Sequence, residues 1–180
     1  ESVFRSRLEA LRAVDDLVGA VVSALGDAAE LGNTVVVFTS DNGFLLGDHR
    51  LSHKSYAYEW SLRVPLVFRA PSQPVFRTSD ETVTNADGAP TLAAMAGILP
   101  GRPADGRSLQ PLLGRQRLNW RKRFLAEHVE EFQMADAPTY VAGRSTARSP
   151  FTPNQLLVDY QSQEREHYDG TDPDQMRSLH

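Results

Sequence analysis

The chain has 180 residues, of which 41% are hydrophobic and 23% charged, with a formal net charge of -4 and an isoelectric point of about 5.7. This length suffices for an ordinary domain with one hydrophobic core, and the acidic balance argues against a nucleic-acid partner, which needs a basic face. No apolar run approaches the roughly 18 residues that a membrane span requires. The absence of cysteine excludes disulfides, a cysteine nucleophile and a thiolate metal site.

The chain begins with Glu1 rather than Met, directly in sequence typical of a helix. We therefore interpret it as a cut or processed product, and its sequence leaves the cellular compartment open. Residues 5–31 are predicted to form an amphipathic helix, with Gly32 and Asn33 as its C-terminal stop. The apolar positions recur at spacings of three and four: Leu8, Leu11, Val14, Leu17, Val18, Val21, Val22 and Leu25.

The segment from Thr34 to Thr39 is a short β-branched run without polar alternation, which favours a strand buried on both faces, as in a parallel sheet. Residues 44–60 are predicted to be a loop. A second strand is expected at Val64–Phe68, with Pro65 suited to its first residue or to a sheet edge. A short strand at Thr82–Thr84 and a helix at Pro90–Ile98 follow.

The character of the sequence changes near residue 115, where short candidate strands separated by segments rich in Pro, Ser and Asp replace the helix and strand pattern. These strands are Arg123–Glu127, Thr139–Ala142 and Gln155–Tyr160, and together they predict a small antiparallel sheet. We therefore predict an α/β part at residues 1–115 and a small α+β C-terminal subdomain at residues 116–180.

The first candidate site lies where the predicted strand at Thr34–Thr39 ends. Asp41 offers carboxylate oxygens and Asn42 offers an amide oxygen, and hard cations such as calcium or magnesium prefer oxygen ligands. In open α/β sheets, ligand sites form at the carboxyl ends of strands. Gly43 would let the backbone turn sharply and keep side-chain bulk away from an ion. The alternative is a plain turn, because Asp-Asn-Gly is favoured turn chemistry.

The second candidate site is a loop rich in cations and aromatic residues around Lys54. A compact ammonium group is a good point charge for a sulfate or phosphate oxygen, and His49 or His53 could donate a proton to a leaving oxygen. The alternative is a solvated loop with incidental histidines. The other residues are given structural roles: Tyr58 and Trp60 are expected to pack, and Glu59 is expected to pair with an arginine such as Arg63.

The two segments together resemble the sulfatase family of the alkaline-phosphatase superfamily. The family pattern is a buried strand, Ser/Thr-Asp-Asn-Gly, a Gly-Asp/Glu-His loop, a Lys ahead of a Tyr-Glu pair, and Arg-Val-Pro-Leu. This sequence has the corresponding elements in the same order, as "TSDNG", "GDH", Lys54 followed by Tyr58-Glu59, and "RVPL". Further along, "DGAPTLAAMAGILP", "DGRSLQPLL" and "LLVDYQSQEREHYDG" are similar to the segments that follow in the family, the last of them to its C-terminal strand pair.

The resemblance implies the C-terminal part of an alkaline-phosphatase-like α/β sheet domain with a smaller antiparallel C-terminal sheet, and a hydrolase of sulfate esters. It implies that Asp41 and Asn42 are metal ligands, usually for calcium, with magnesium as the other candidate ion. Lys54 would contact the sulfate and stabilise its developing charge. We add His49 and His53 as substrate-binding candidates. The implied partners are a sulfate-ester substrate, including sulfated carbohydrates, and an N-terminal part of the same protein.

The sequence departs from the family pattern in one important respect. Family nucleophiles are formylglycines made from the first residue of Cys/Ser-x-Pro/Ala-x-Arg, and this sequence has no match to that motif. We therefore expect the formylglycine in an N-terminal part that is missing from this sequence, and we expect this chain to be inactive alone. Two alternatives remain open: a phosphodiesterase or phosphonate monoester hydrolase of the same superfamily, which often has Asp-His at the position of Asp41-Asn42, and a non-catalytic sulfatase-like domain.

Overall fold

The structure is a computed structural model that describes residues 2–71, 78–99, 101–114, 119–129, 138–145, 154–170, 175 and 178. The chain divides into two compact units, Glu1–Ser40 with Pro65–Phe76, and Asp41–Val64 with Arg77–His180. The predicted subdivision at residue 115 stays a prediction. The described helices are α1 (Ser2–Asp27), α2 (Glu59–Leu62), α3 (Gly88–Met95) and α4 (Gln110–Leu113). The described strands are β1 (Val36–Thr39), β2 (Leu45–Leu46), β3 (Ser52–His53), β4 (Leu66–Arg69), β5 (Arg123–His128), β6 (Tyr140–Ser145), β7 (Gln155–Tyr160) and β8 (Arg165–Asp169).

The long helix of the first unit confirms the predicted amphipathic helix but ends earlier than expected. Ala29 adopts the left-handed conformation at φ 56°, and the amide of Glu30 donates to the carbonyl of Leu25 at 2.9 Å. This bond closes the end of α1 as a six-to-one C-cap, so Gly32 and Asn33 lie in a following 3-10 turn. Most apolar side chains of α1 are exposed in the described structure, including Leu11 at 60% and Leu17 at 62%, whereas Val22 and Leu25 are half-buried. No helix among the described residues is long and apolar enough to cross a bilayer.

The strands β1 and β4 confirm the strands predicted at Thr34–Thr39 and Val64–Phe68. Their pairing is antiparallel, with Val36 opposite Arg69 and Thr39 opposite Leu66, so the parallel arrangement predicted for β1 is wrong for this pair. Burial on both faces is also not observed, because Phe38 is 39% exposed. An unbroken apolar run predicts burial, but it contains no information on the direction of the neighbouring strand.

The second unit contains a four-stranded antiparallel sheet in the order β5-β6-β7-β8. The three strands predicted beyond residue 115 are confirmed as β5, β6 and β7, and β8 pairs with β7 as the strand pair implied by the family resemblance. One face of the sheet is buried, and it includes the cross-strand row Ala126, Ala142, Val158 and Glu166. The segments between the strands lie mostly outside the described residues.

The core of the second unit joins the segment around residues 45–58 to this sheet. Leu45 and Ala57 are fully buried, and Tyr58 is 8% exposed. They belong to one cluster with sheet residues that point to the buried face, namely Tyr140, Ala142, Leu156, Val158 and Tyr168. The predicted loop at 44–60 is therefore partly regular, because it contains β2, β3, a 3-10 turn and the start of α2.

The strand predicted at Thr82–Thr84 is wrong, because Thr84 caps a helical turn instead. The Thr84 amide donates to the Asp87 carboxylate at 2.8 Å, and the two side chains form a capping box ahead of α3. Asp87 is fully buried, and its second oxygen accepts from the Arg107 amide at 2.7 Å and from the Arg121 guanidinium at 2.5 Å. This buried ion pair ties the start of α3 to the segment that enters β5.

Candidate functional site

The Asp41-Asn42-Gly43 segment lies directly against the short helix α2. The Gly43 amide donates to the Ser61 carbonyl at 2.8 Å, and a Cβ added at Gly43 would overlap the carbonyl oxygen of Trp60. Glycine is therefore required here by the close approach of two backbones. Gly43 has no left-handed backbone, since its φ lies outside that region, so the close approach rather than a positive φ accounts for this glycine.

The amide of Asn42 is held between its own backbone and Lys54. Its Nδ2 donates to the Gly43 carbonyl at 2.7 Å, and its Oδ1 accepts from Lys54 Nζ at 3.1 Å. The backbone amide of Asn42 in turn donates to Asp41 Oδ1 at 2.9 Å. The structure thus brings together the two sites that the sequence indicated separately, because Lys54 contacts Asn42, one of the two residues predicted to bind a metal.

Lys54 follows a tight hairpin whose backbone is unusual. The strands β2 and β3 pair Leu45 with His53 and Leu46 with Ser52. Gly47 turns the chain at φ 115°, and four non-glycine residues of the following segment have positive φ: His49 (55°), Arg50 (60°), His53 (98°) and Ser55 (76°). Such conformations cost on the order of 1–3 kcal/mol each for L-residues and concentrate at functional sites, where the surrounding structure imposes them.

The two histidines of this hairpin have different environments. His53 is exposed, and its ring contacts the edge of Phe44 with ring centroids 6.0 Å apart. His49 is half-buried and stacks on Tyr58, with the ring centroids 3.9 Å apart and the planes 9° from parallel. The Nε2 atom of His49 is buried and has no hydrogen-bond partner among the described residues. His53 therefore faces solvent beside Lys54, whereas His49 is part of a packed stack.

The two aromatic residues expected to pack also differ. Tyr58 is buried as expected, whereas the side chain of Trp60 is 49% exposed. The expected pairing of Glu59 is confirmed, because Arg63 Nη1 lies 3.3 Å from its carboxylate. Glu59 is therefore one member of an i,i+4 ion pair on α2.

The Tyr58 hydroxyl contacts the C-terminal sheet, a connection that the sequence did not indicate. It donates to Glu166 Oε1 at 3.2 Å, and the Tyr160 hydroxyl donates to Glu166 Oε2 at 2.8 Å. Burial raises the pKa of Tyr58 and of Tyr160 above the usual 10, and the Glu166 carboxylate raises both further. Both phenols are therefore protonated donors in the neutral pH range. No local sequence signal could have found this contact, since 108 residues separate Tyr58 from Glu166.

The described oxygen donors are of the type that a hard cation prefers, but they are too few to form a complete metal site. Asp41 and Asn42 supply oxygen ligands, which calcium and magnesium prefer, but calcium takes 6–8 ligands. Among the described residues, no three His, Cys, Asp or Glu side chains lie close enough together to hold a metal ion. The pair therefore fits part of an oxygen-ligand set whose other members would come from elsewhere.

The comparisons with known proteins agree with the family resemblance of the segments that contain Asp41-Asn42-Gly43 and Lys54. The sulfatase family model matches residues 1–98. Human N-acetylglucosamine-6-sulfatase is 39% identical over 142 residues, which are 77% of this chain and 26% of that protein. The chain belongs to the sulfatase family. The N-acetylglucosamine-6-O-sulfatase of Bacteroides thetaiotaomicron is 36% identical over 134 residues, covering 72% of this chain and 24% of that protein. This sulfatase chain thus spans about a quarter of the length of these curated relatives.

Solved structures show the same fold. A protein solved in complex with its substrate D-glucosamine-2-N,6-O-disulfate has a TM-score of 0.79 and 29% identity, covering 94% of this chain and 34% of that one. The phosphonate monoester hydrolase of Agrobacterium radiobacter has a TM-score of 0.77 and 24% identity, covering 92% and 34%, and this likeness supports the fold alone. The predicted fold class, an alkaline-phosphatase-like α/β sheet with a small antiparallel C-terminal sheet, is confirmed.

Proposed function

We propose that this chain is the C-terminal part of a sulfuric ester hydrolase and supplies one half of its active site. The observation that supports this most directly is the contact between Lys54 Nζ and Asn42 Oδ1 at 3.1 Å. It joins a cation suited to a sulfate oxygen with oxygen donors suited to a metal ion, on a chain of the sulfatase family.

Each residue has a stated role in this proposal. Lys54 binds a sulfate oxygen and stabilises the negative charge that develops during hydrolysis. Asp41 and Asn42 are two ligands of a divalent cation, calcium first and magnesium second. When bound, such an ion supplies Lewis-acid polarisation of the sulfate oxygen. His53 contacts the substrate from the exposed side of the hairpin, and His49 supports the site from within the stack on Tyr58.

The nucleophile is proposed to be a formylglycine in an N-terminal part of the protein that this sequence does not contain, because no Cys/Ser-x-Pro/Ala-x-Arg motif occurs in it. We accordingly expect the 180-residue chain to be inactive by itself. The exposed apolar side chains along α1 favour association with that N-terminal part, because soluble proteins rarely leave such a stripe in water.

The proposed substrate class is a sulfated amino sugar. Two relatives that are 36–39% identical are named as sulfatases acting on the 6-sulfate of N-acetylglucosamine, and the solved complex contains a 6-O-sulfated glucosamine. The dependence of hydrolysis on a metal ion and the identity of the sugar are also part of this proposal. The half-exposed indole of Trp60, on the helix that contacts Gly43, offers an apolar surface beside the site.

The proposal is tested by comparing hydrolysis of aryl sulfate, aryl phosphate and aryl phosphonate esters by the intact protein containing this chain. We expect sulfate release to be the fastest of the three reactions and to be lost after treatment with a metal chelator. Preferred hydrolysis of the phosphonate ester would favour the phosphonate monoester hydrolase alternative. Absence of turnover for all three, with formylglycine present and metal added, would favour a non-catalytic domain.

A further inference from the structure

A carboxylate on the last described strand of the sheet accepts hydrogen bonds from phenol hydroxyls. Glu166 lies on the buried face of β8, in one cross-strand row with Val158, Ala142 and Ala126. Within the part of the chain that the structure describes, its carboxylate accepts from the hydroxyls of Tyr58 and Tyr160, and, in addition to burial, it raises the pKa of the neighbouring Tyr168 phenol. Glu166 is half-buried, and an apolar residue would suit such a row better for stability alone, since a carboxylate loses part of its hydration there. A specific orienting role would explain why a carboxylate stands at this position.

The carboxylate fixes the orientation of the Tyr58 ring. One oxygen accepts from Tyr58 and the other from Tyr160, at 3.2 Å and 2.8 Å, so Glu166 is restrained from two sides. The ring of Tyr168 lies edge-on to Tyr58, with centroids 6.1 Å apart. Hydrogen bond and edge contact together restrict rotation of the Tyr58 ring, which is 8% exposed and packed in the core cluster.

Tyr58 in turn supports the hairpin that precedes Lys54. The imidazole of His49 lies flat on the phenol ring, 3.9 Å between centroids. His49 has a left-handed backbone at φ 55°, a conformation that persists only where neighbouring structure imposes it. The stack on Tyr58 is a contact that can stabilise this conformation, and Lys54 follows His49 by five residues in the same hairpin segment. Displacing Tyr58 would therefore loosen the segment that places Lys54 on Asn42.

We propose that Glu166 is a positioning residue of the sulfatase site: it acts through Tyr58 and the His49 stack to hold the hairpin that presents Lys54. This inference rests on the proposed function, because its kinetic test assumes sulfatase activity. Its spectroscopic test depends only on the geometry around His49. Glu166 touches no reacting atom in this account. Glu166 connects the C-terminal sheet to the β2–β3 hairpin, so the sheet helps to fix the position of Lys54.

The kinetic test uses the intact enzyme and a double-mutant cycle. Glu166→Gln leaves one uncharged acceptor oxygen for two phenols, and Tyr58→Phe removes the Tyr58 hydroxyl, so both variants perturb the same hydrogen bond. Each is expected to lower kcat about tenfold with little change in KM, because small displacements of a catalytic group can cost up to about 100-fold. The double variant Tyr58→Phe/Glu166→Gln should be no slower than the slower single variant. Glu164→Gln, at an exposed carboxylate two residues away, is the matched control and should keep wild-type kcat.

The spectroscopic test follows the His49 ring directly. In protein labelled at histidine Cε1, the His49 signal, assigned by its loss in His49→Gln, should show the upfield ring-current shift of a stacked imidazole. Glu166→Gln should move that signal toward the position of an exposed histidine such as His53, and Glu164→Gln should leave it in place.

The inference is overturned if Glu166→Gln leaves both the His49 signal and kcat unchanged. If the melting temperature falls while these two remain unchanged, Glu166 is a purely structural residue. Multiplicative losses in the double variant would also overturn it, because Glu166 would then act independently of Tyr58. A wild-type enzyme without sulfatase activity would refute the proposed function instead, and the His49 signal would still test the positioning.

Discussion

The role of Lys54 gives the most quantitative prediction. Lys54→Ala removes an exposed ammonium whose observed partner is the Asn42 amide oxygen, 3.1 Å away. Because this contact is exposed, its loss should leave the midpoint of thermal unfolding unchanged. The effect on turnover should be much larger, since the ammonium would face the transferred sulfate.

The expected size follows from the dielectric environment of that contact. Two unit charges about 4 Å apart interact by about 1 kcal/mol in water and by about 4 kcal/mol near a protein surface. These limits correspond to about fivefold and about 1000-fold in rate, because each 1.36 kcal/mol is a factor of ten. A lysine held in place by Asn42 and by the hairpin belongs toward the upper limit, so we expect a loss in kcat of about 100-fold or more, as for a lost oxyanion donor.

The assay is steady-state hydrolysis of an aryl sulfate by the intact enzyme. The chain offers a matched control, because its only other lysine is Lys122, whose Nζ pairs with Glu81 at 2.8 Å outside the site. Lys122→Ala should keep wild-type kcat. A loss below about tenfold for Lys54→Ala would refute the reasoning and return this segment to the solvated-loop interpretation.

Three further predictions concern the metal, the buried ion pair and Tyr140. Asp41→Ala should abolish metal-dependent turnover and the rise in melting temperature on adding calcium; unchanged activity would remove Asp41 from the ligand set. Asp87→Ala should lower the free energy of unfolding by about 3–5 kcal/mol, because it leaves the Arg121 guanidinium without its buried partner. Denaturant titration measures this loss beside the exposed control Asp80→Ala, and equal free energies of unfolding for the two variants would contradict the prediction. Burial raises the pKa of Tyr140 from 10.0 to about 12, so the folded state keeps this proton while the unfolded state loses it. Stability should therefore fall between pH 10 and pH 12, by about 3 kcal/mol from this group, and Tyr140→Phe should flatten that slope; an equally steep slope in the variant would contradict the assignment.

Most regular elements could be predicted because their signals are local. The spacing of apolar residues predicted α1, and short apolar runs bounded by polar or turn-forming segments predicted β1, β4 and β7. The boundaries were less accurate where a single residue took an uncommon conformation. Ala29 ends α1 in the left-handed region, where glycine or asparagine would have been expected.

The elements that were missed or mispredicted depend on specific hydrogen bonds and burial that composition and periodicity do not show. Thr82–Thr84 has the composition of a strand, but the buried Asp87 carboxylate binds the Thr84 amide and imposes a cap. The strands β2 and β3 have two residues each, too short for a periodic pattern, and they are held by burial of Leu45 in the core. Strand direction was mispredicted for β1 because an apolar run is compatible with either pairing.

The candidate site was predicted in its parts but not in its arrangement. Residue type and order identified Asp41, Asn42 and Lys54 as site candidates, and the structure adds that Lys54 lies on Asn42. The hydrogen bond between Tyr58 and Glu166 could not be predicted from the sequence, because a tyrosine in a loop and a glutamate in a distant strand have no shared periodicity. The different environments of His49 and His53 likewise depend on the fold rather than on their spacing.

The most direct test of the central claim is release of inorganic sulfate from N-acetylglucosamine 6-sulfate by the intact protein, with Lys54→Ala measured beside it. The account predicts that the wild-type protein releases one sulfate per sugar and that the variant is slower by about 100-fold or more. Failure of the wild-type protein to release sulfate from this sugar and from an aryl sulfate, with its formylglycine verified by mass spectrometry and calcium present, would contradict it.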